Sequence, residues 1–374
     1  MLEHLNIFIS LALSFTIVYF VIPKIIKVSR KIKLYDVPNE RSAAKQIVPT
    51  LGGIAIFAGF CISTIVSSNN LDIDELKHLI AGVIFMFLIG LKDDIIGLSA
   101  KKKLMAQIIV SLYLVIIGGY QITNLHGIFG IQEIGYVTGA IISIVAMVGL
   151  INAINLIDGI DGLAGGIGLL ISLIYGFWFL NAGDFIYCLA SFSLAGSLIA
   201  FLLYNVFGNT NKIFMGDTGS LILGTIIAAL TIHFNNYYSA IDGVVHGLPA
   251  LSLGIIIVPV TDTIRIFAIR IAQKRSPFKA DMNHIHHNVL KLTGNHLTSS
   301  FIIIAVNSLI ILCSFLLIDQ LGNNLLFILI LVTGFLLAGI PALILKWLNF
   351  SKSSEGQKDK SIFALSVFTK KPKN

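Results

Sequence analysis

Three properties of this chain predict an all-α, polytopic integral membrane protein. Of its 374 residues 56% are hydrophobic and only 12% charged, the mean hydropathy is +0.90, and long apolar runs recur almost from end to end. Such runs are too many and too long to share one aqueous core. At roughly 17 to 25 residues per crossing, about eleven transmembrane helices are expected.

Taken in order, the first run, 5–21, lacks a basic n-region and an A-x-A-like site, so it reads as a retained helix and not a cleaved signal. The second, 52–66, starts after Pro49 and the pair Gly52-Gly53. The third, 79–91, ends at Asp93-Asp94, and the fourth, 104–118, follows Lys101, Lys102 and Lys103. The fifth, 136–150, runs into a polar stretch that begins at Asn152, and the sixth, 163–180, leaves it after Gly162. A very short link joins the sixth to the seventh, 185–203. The last four are 221–234, 245–260, 301–318 and 325–345.

Charge sets the orientation. All but one of the 26 Lys and Arg residues fall in the odd-numbered connections or the tail; the exception is Lys77. Positive residues remain inside, so the N-terminus is expected outside and the C-terminus in the cytoplasm. One transmembrane domain over 1–350 is expected, followed by a flexible basic cytoplasmic tail, 351–374. The net charge of +7 reads as this topological signal together with attraction to anionic membrane lipids, and basic loops would also serve a phosphorylated substrate. Nothing in it points to nucleic acid. Cys61, Cys188 and Cys313 lie within apolar runs without metal or disulfide spacing.

Five polar clusters interrupt the cytoplasmic connections and the helix ends beside them. Val48-Pro49-Thr50-Leu51-Gly52-Gly53 allows a tight turn and close backbone approach at a helix start, where N–H groups favour anions. Asp93 and Asp94 repel each other and face an unfavourable helix C-terminus, so a cation or a basic neighbour is the natural remedy. In Asn152-x-x-Asn155-x-x-Asp158-Gly159-x-Asp161-Gly162 polar residues recur every third position. No Lys or Arg in that connection balances its aspartates, so positive charge must come from a bound cation or from other loops. Asp217, flanked by Gly216 and Gly219 before the eighth span, suits an N-cap or a phosphate or metal site. His284, His286 and His287 lie beside Asp281 and a run of Arg and Lys. On a helix His284 and His287 would share a face, whereas His286 and His287 would not. Zinc would need Asp281 as a further ligand, and a phosphate clamp, the favoured reading, would draw on Arg275 and Lys279.

In this order the clusters resemble the polyprenyl-phosphate N-acetylhexosamine-1-phosphate transferases, in their bacterial undecaprenyl-phosphate branch within glycosyltransferase family 4. The resemblance runs from about Pro49 to about His287. It implies a glycosyl-1-phosphate transferase that moves N-acetylhexosamine 1-phosphate, GlcNAc-1-phosphate first of all, from a UDP-sugar to undecaprenyl phosphate. The products would be undecaprenyl-diphosphate-sugar and UMP, the initiating step of a cell-surface polysaccharide. By the same resemblance Asp93, Asp94 and Asp217 serve a metal-diphosphate centre, with Asp217 and Asp94 on Mg²⁺ or Mn²⁺, and Lys103 holds phosphate. Asn152, Asn155, Asp158 and Asp161 would line the nucleotide-sugar site, and His284, His286 and His287 match a cytoplasmic histidine motif. The location implied is the bacterial inner membrane with the active site on the cytoplasmic face; a homodimer is compatible with it.

The acceptor phosphate has a second pKa near ~6 and is largely dianionic at neutral pH, so charge neutralisation matters more than a general base. Asp93 as a base stays open. A phospho-N-acetylmuramoyl-pentapeptide transferase fits less well, because Ile285 interrupts the histidine run. An ion-coupled transporter would carry its ionisable residues near mid-span between repeated halves, whereas these crowd one face. A CDP-alcohol phosphotransferase would need Ala-Arg shortly after its Asp-Gly, but Leu163-Ala164-Gly165 follows Gly162.

A reporter fused after Asn374 is expected to read as cytoplasmic, and reporters inserted at Asn124 or Asn236 as external. An external C-terminus would remove the basis for a cytoplasmic active face.

Overall fold

The computed structural model describes residues 2–35, 48–68, 71, 73–236, 247–276 and 282–368, the last eighteen of these as backbone alone. The chain is a helical bundle of α1 (Leu2–Ile32), α2 (Gly52–Ser67), α3 (Lys77–Ile96), α4 (Ala100–Leu112), α5 (Tyr136–Ile157), α6 (Leu163–Ala182), α7 (Phe185–Val206), α8 (Gly216–Asn236), α9 (Leu248–Ala272), α10 (Ile285–Thr293) and α11 (His296–Phe368). Among the described residues seven helical segments are long and apolar enough to cross a membrane: α1, α5 to α9, and the part of α11 from His296 to Phe350.

About eleven crossings are expected from the sequence, and the difference has local causes. The 16-residue α2 is apolar but short, α3 ends in Lys92, Asp93 and Asp94, and α4 changes at Tyr113 into a wider π-helical turn, Tyr113–Ile117. Two expected spans lie within α11, whose helical backbone breaks at Gly322 (φ 68°, ψ 171°). Ile302, Val306 and Ile310 line the same apolar cavity as Gly334, Leu337 and Ile344, so the two stretches fold back on each other about that glycine.

The all-α expectation needs one amendment, a small antiparallel hairpin of β1 (Asn124–Ile128) and β2 (Ile131–Glu133). Asn323 donates to the His126 carbonyl (2.9 Å) and Asn324 to that of Gly127 (2.9 Å), so side chains just after the α11 break fasten it. Short-range polarity patterns carry little signal for such a hairpin, because its partners come from nearly 200 residues away.

α8 is the most enclosed helix, packed chiefly against α3 and α5 and also against α2. Small residues let its neighbours close in, as in other membrane bundles. A Cβ on Gly53 would fall 2.1 Å from the Gly219 nitrogen, and one on Gly90 would fall 2.4 Å from the Thr218 Cα. The N-terminus of α8 is thereby pressed between the start of α2 and the end of α3, which brings the polar clusters together.

Candidate active site

The two adjacent aspartates at the end of α3 are resolved in different ways. Asp94 accepts hydrogen bonds from the α8 backbone at Asp217 N (2.8 Å, Oδ1) and Thr218 N (3.0 Å, Oδ2), and from the Thr218 hydroxyl (2.5 Å). It is thus the N-cap of α8 supplied by another helix, and its charge meets the positive end of that helix dipole. Asp93, buried, instead accepts from Leu98 N (2.5 Å) and pairs with Lys103 at 2.5 Å.

Lys103 also reaches Asp217, 3.1 Å away, so one ammonium bridges the carboxylates of α3 and α8. Asn155 on α5 donates to the same Asp217 oxygen (2.9 Å) and to the Ser220 hydroxyl (2.8 Å), while Asn152, one turn earlier, donates to buried Gln107 on α4 (2.6 Å). Asn152 and Asn155 are helical, and the irregular stretch begins only at Asp158. The Asp158 side chain has no hydrogen bond or ion pair among the described residues. Burial, then the charges of Asp217, Asp94 and Asp161, push its carboxyl up to about 7. Carboxylate charge therefore exceeds cationic charge where α3, α5 and α8 meet.

Asp161 has its own partners. Lys212 lies 2.6 Å away and His296 3.2 Å. Burial raises this carboxyl, but the hydrogen bonds and charges of His296 and Lys212 outweigh that and leave it below the usual range. The following turn is pinned by Gly162 N donating to Asn205 Oδ1 (2.7 Å), with Gly162 at φ 78°. Beside it opens a cavity of about 900 Å³ lined by Asp161, Lys212, Phe214, Asn209, Asn295 and His296.

The histidine element lies across this stretch. His284 and His286 are the buried pair, with rings stacked at 5.6 Å, and His287 is half-buried, so the expected sharing of a face by His284 and His287 does not hold. His284 precedes the first turn of α10 in extended backbone, which breaks the helical spacing assumed for it. Its Nδ1 meets Asp262 on α9 (2.9 Å), and Arg270 lies 3.4 Å from Nε2. Asp262 also accepts from Ile285 N (2.9 Å) and pairs with Arg265 (3.0 Å). His286 is 1% exposed, and its Nδ1 has no partner among the described residues. A Cβ on Gly159 would sit 2.2 Å from its Nε2, so only glycine lets the two loops meet. Burial, and next the charge of His287, hold His286 down to about 3, a neutral imidazole at neutral pH. Arg275 is exposed; Lys279 and Asp281 lie outside the described residues.

The first cluster does not present free N–H groups to an anion. Gly52 N and Gly53 N donate to the carbonyls of Phe214 and Met215 (both 2.9 Å), and Phe214 N donates to that of Pro49 (2.8 Å), so the segment braces the approach to α8. The sequence reading also passed over Asp262, Arg265, Arg270, Asn205 and His296 as site residues. Asp262 carried a usable signal, an ionisable residue two positions beyond the apolar run 245–260, inside what is the continuous helix α9. Asn205 and His296 are single polar residues whose partners are visible only in three dimensions.

Among the described residues no three or more His, Cys, Asp or Glu side chains are grouped to hold a metal ion alone. Mg²⁺, however, commonly uses one or two carboxylates and completes its shell with water and phosphate oxygens. Asp158, whose charge interacts with that of Asp217, and Asp217 itself are hard-oxygen donors that suit such an ion.

A family model described as glycosyl transferase family 4 matches residues 76–235, which span α3 to α8. The undecaprenyl-phosphate alpha-N-acetylglucosaminyl 1-phosphate transferase of Salmonella typhi is 30% identical over 315 residues, 83% of each chain. Proteins with that same name from Yersinia pestis (29% over 269 residues, 71% of this chain and 72% of the other) and Escherichia coli (27% over 269 residues, 71% of each) are also similar.

Gly216 tests how tightly the site is braced. It has φ 72°, and a Cβ there would meet the Thr50 carbonyl oxygen at 2.1 Å; Gly97 has φ 73° with nothing within 4 Å. Gly97→Ala is expected to cost about 1 kcal/mol of backbone strain and Gly216→Ala at least twice that. Thermal unfolding of the two variants in one detergent makes the comparison, and equal shifts would mean that α8 is not braced there.

Proposed function

Since this chain belongs to glycosyl transferase family 4, we propose that it transfers N-acetylglucosamine 1-phosphate from UDP-N-acetylglucosamine to undecaprenyl phosphate, with release of UMP. The observation that carries this reading is the meeting of α3, α5 and α8, where Lys103, Asn155, Asp158 and Asp217 converge with an excess of carboxylate. Two phosphates that must approach each other need that kind of place, provided cations accompany them. The names of the relatives supply the substrate pair.

In this proposal an acceptor phosphate oxygen attacks the sugar-bearing β-phosphorus of the donor. The bond from that phosphorus to the bridging oxygen breaks, and UMP leaves with the electron pair. Asp217 and Asp158 would hold Mg²⁺ or Mn²⁺, which supplies charge neutralisation and a template for the phosphate oxygens. Asp94 already serves three donors of α8, so its role is to position Asp217 and not to ligate the metal. Lys103 orients Asp93 and Asp217 and places its ammonium where a phosphate arrives. The cavity beside Asp161 and Lys212 takes the nucleotide-sugar. His284, engaged on both ring nitrogens, positions the loop, His286 seats it on Gly159, and His287 is the histidine that faces substrate.

The same reading includes eleven crossings, an external N-terminus, a cytoplasmic C-terminus and active face, and residence in the bacterial inner membrane. It also includes entry of the product into cell-surface polysaccharide synthesis. The domain division remains 1–350 catalytic and 351–374 tail.

Asp217→Asn is expected to lower kcat by about a hundredfold or more at saturating Mg²⁺ while the protein still folds. Near-normal UMP release from purified protein would refute the assignment. Asp158→Asn and Asp161→Asn, where activity remains, are expected to raise KM for the UDP-sugar more than KM for undecaprenyl phosphate. A selective rise for the lipid would exchange the two sides of the site.

A further inference from the structure

A second cleft, of about 460 Å³, lies between α9, α10 and the part of α11 beyond Gly322. Three cations from three different helices line it: Arg265, Lys291 and Lys346. Asn288 and Gln273 add amide donors, and no acidic side chain is among its lining residues. Lys291 and Lys346 make no ion pair among the described residues. Arg265 has Asp262 as its counter-charge, whereas Lys291 and Lys346 bring further like charge to the same cleft, a repulsion that an anion between them would relieve.

The position of the cleft says which anion. Trp347, the neighbour of Lys346, is 67% exposed, and an exposed tryptophan beside a lysine is typical of the membrane–water interface. Leu343 and Ile271, close by on α11 and α9, expose 66% and 61% of their surface, as side chains against lipid tails do. The cleft thus opens at headgroup depth, on the end of the bundle that carries the histidine element. Basic pockets between membrane helices on that side suit anionic headgroups.

We propose that this cleft binds the phosphate headgroup of an anionic phospholipid, and that the bound lipid steadies the histidine element. The link is a short chain of ion pairs and hydrogen bonds. Arg265 on the cleft wall pairs with Asp262 (3.0 Å) and donates to the Asn283 carbonyl (2.7 Å), and Asp262 holds His284 (2.9 Å). A phosphate drawn between Arg265, Lys291 and Lys346 ties α9, α10 and α11 together at the point from which His284 and His286 are held. This goes beyond the proposed transfer reaction, since the cleft shares no residue with the Asp93, Asp158 and Asp217 centre.

The test uses full-length protein and the double variant Lys291→Gln/Lys346→Gln, neither residue belonging to the proposed transfer machinery. Native mass spectrometry with equal phosphatidylglycerol and phosphatidylcholine reads lipid retention directly, whether or not the protein is a transferase. The wild type is expected to prefer phosphatidylglycerol and the double variant to lose about thirtyfold of that preference. In nanodiscs, adding phosphatidylglycerol to phosphatidylcholine is expected to raise thermal stability and turnover of the wild type but not of the variant. Unchanged phosphatidylglycerol retention by the variant would overturn the proposal. So would displacement of the lipid by millimolar glycerol 3-phosphate, which would mark a site for soluble anions. A rise confined to KM for undecaprenyl phosphate would assign the cleft to the acceptor and overturn it equally.

Discussion

The carboxylate of Asp94 on the N-terminus of α8 is the interaction from which the site is built. A buried helix start has N–H groups that must find acceptors, and a charged acceptor is worth more than a neutral one. Supplying it from the end of α3 joins two helices and fixes the first turn of α8 in all directions. Asp217, in that turn, then stands where Lys103 and Asn155 reach it. The glycines at positions 53, 90 and 216 are the steric condition for this docking, because a side chain at 53 or 90 would collide with backbone at the α8 start and one at 216 with the Thr50 carbonyl.

From that anchor the charge distribution follows. Asp94 is neutralised by a helix end, Asp93 by Lys103, and Asp161 by Lys212 and His296. The Asp158 side chain is left without a partner among the described residues, and burial first, then the charges of Asp217, Asp94 and Asp161, raise its carboxyl. A centre with more carboxylate than cation is suited to substrates that are phosphates and arrive with cations.

Much of this was legible in the sequence for a simple reason: polar residues that interrupt apolar runs are costly in a membrane and stand out against it. Asp93, Asp94, Asn155, Asp158 and Asp217 were singled out on that ground and Lys103 by the family resemblance, and they meet. Their division of labour was not legible. Neighbours on a helix point about 100° apart, so Asp93 and Asp94 serve different partners, and the partner of Asp94 is a helix terminus that no residue type announces. The histidine spacing misled because His284 lies outside the helical turn that its spacing assumed. The Gly52-Gly53 pair carried a true signal of close approach, but what approaches is the chain at Phe214 and Met215 and not an anion.

The central claim is that the Asp94 carboxylate and the α8 N-terminus are energetically coupled and that the site depends on it. A double-mutant cycle with Asp94→Asn and Thr218→Val, read by unfolding free energy, measures this coupling directly. The account predicts an interaction of about 1 to 3 kcal/mol, because each single change weakens the same charged hydrogen bond. Strict additivity, with the double variant losing the sum of the two single losses, would contradict it.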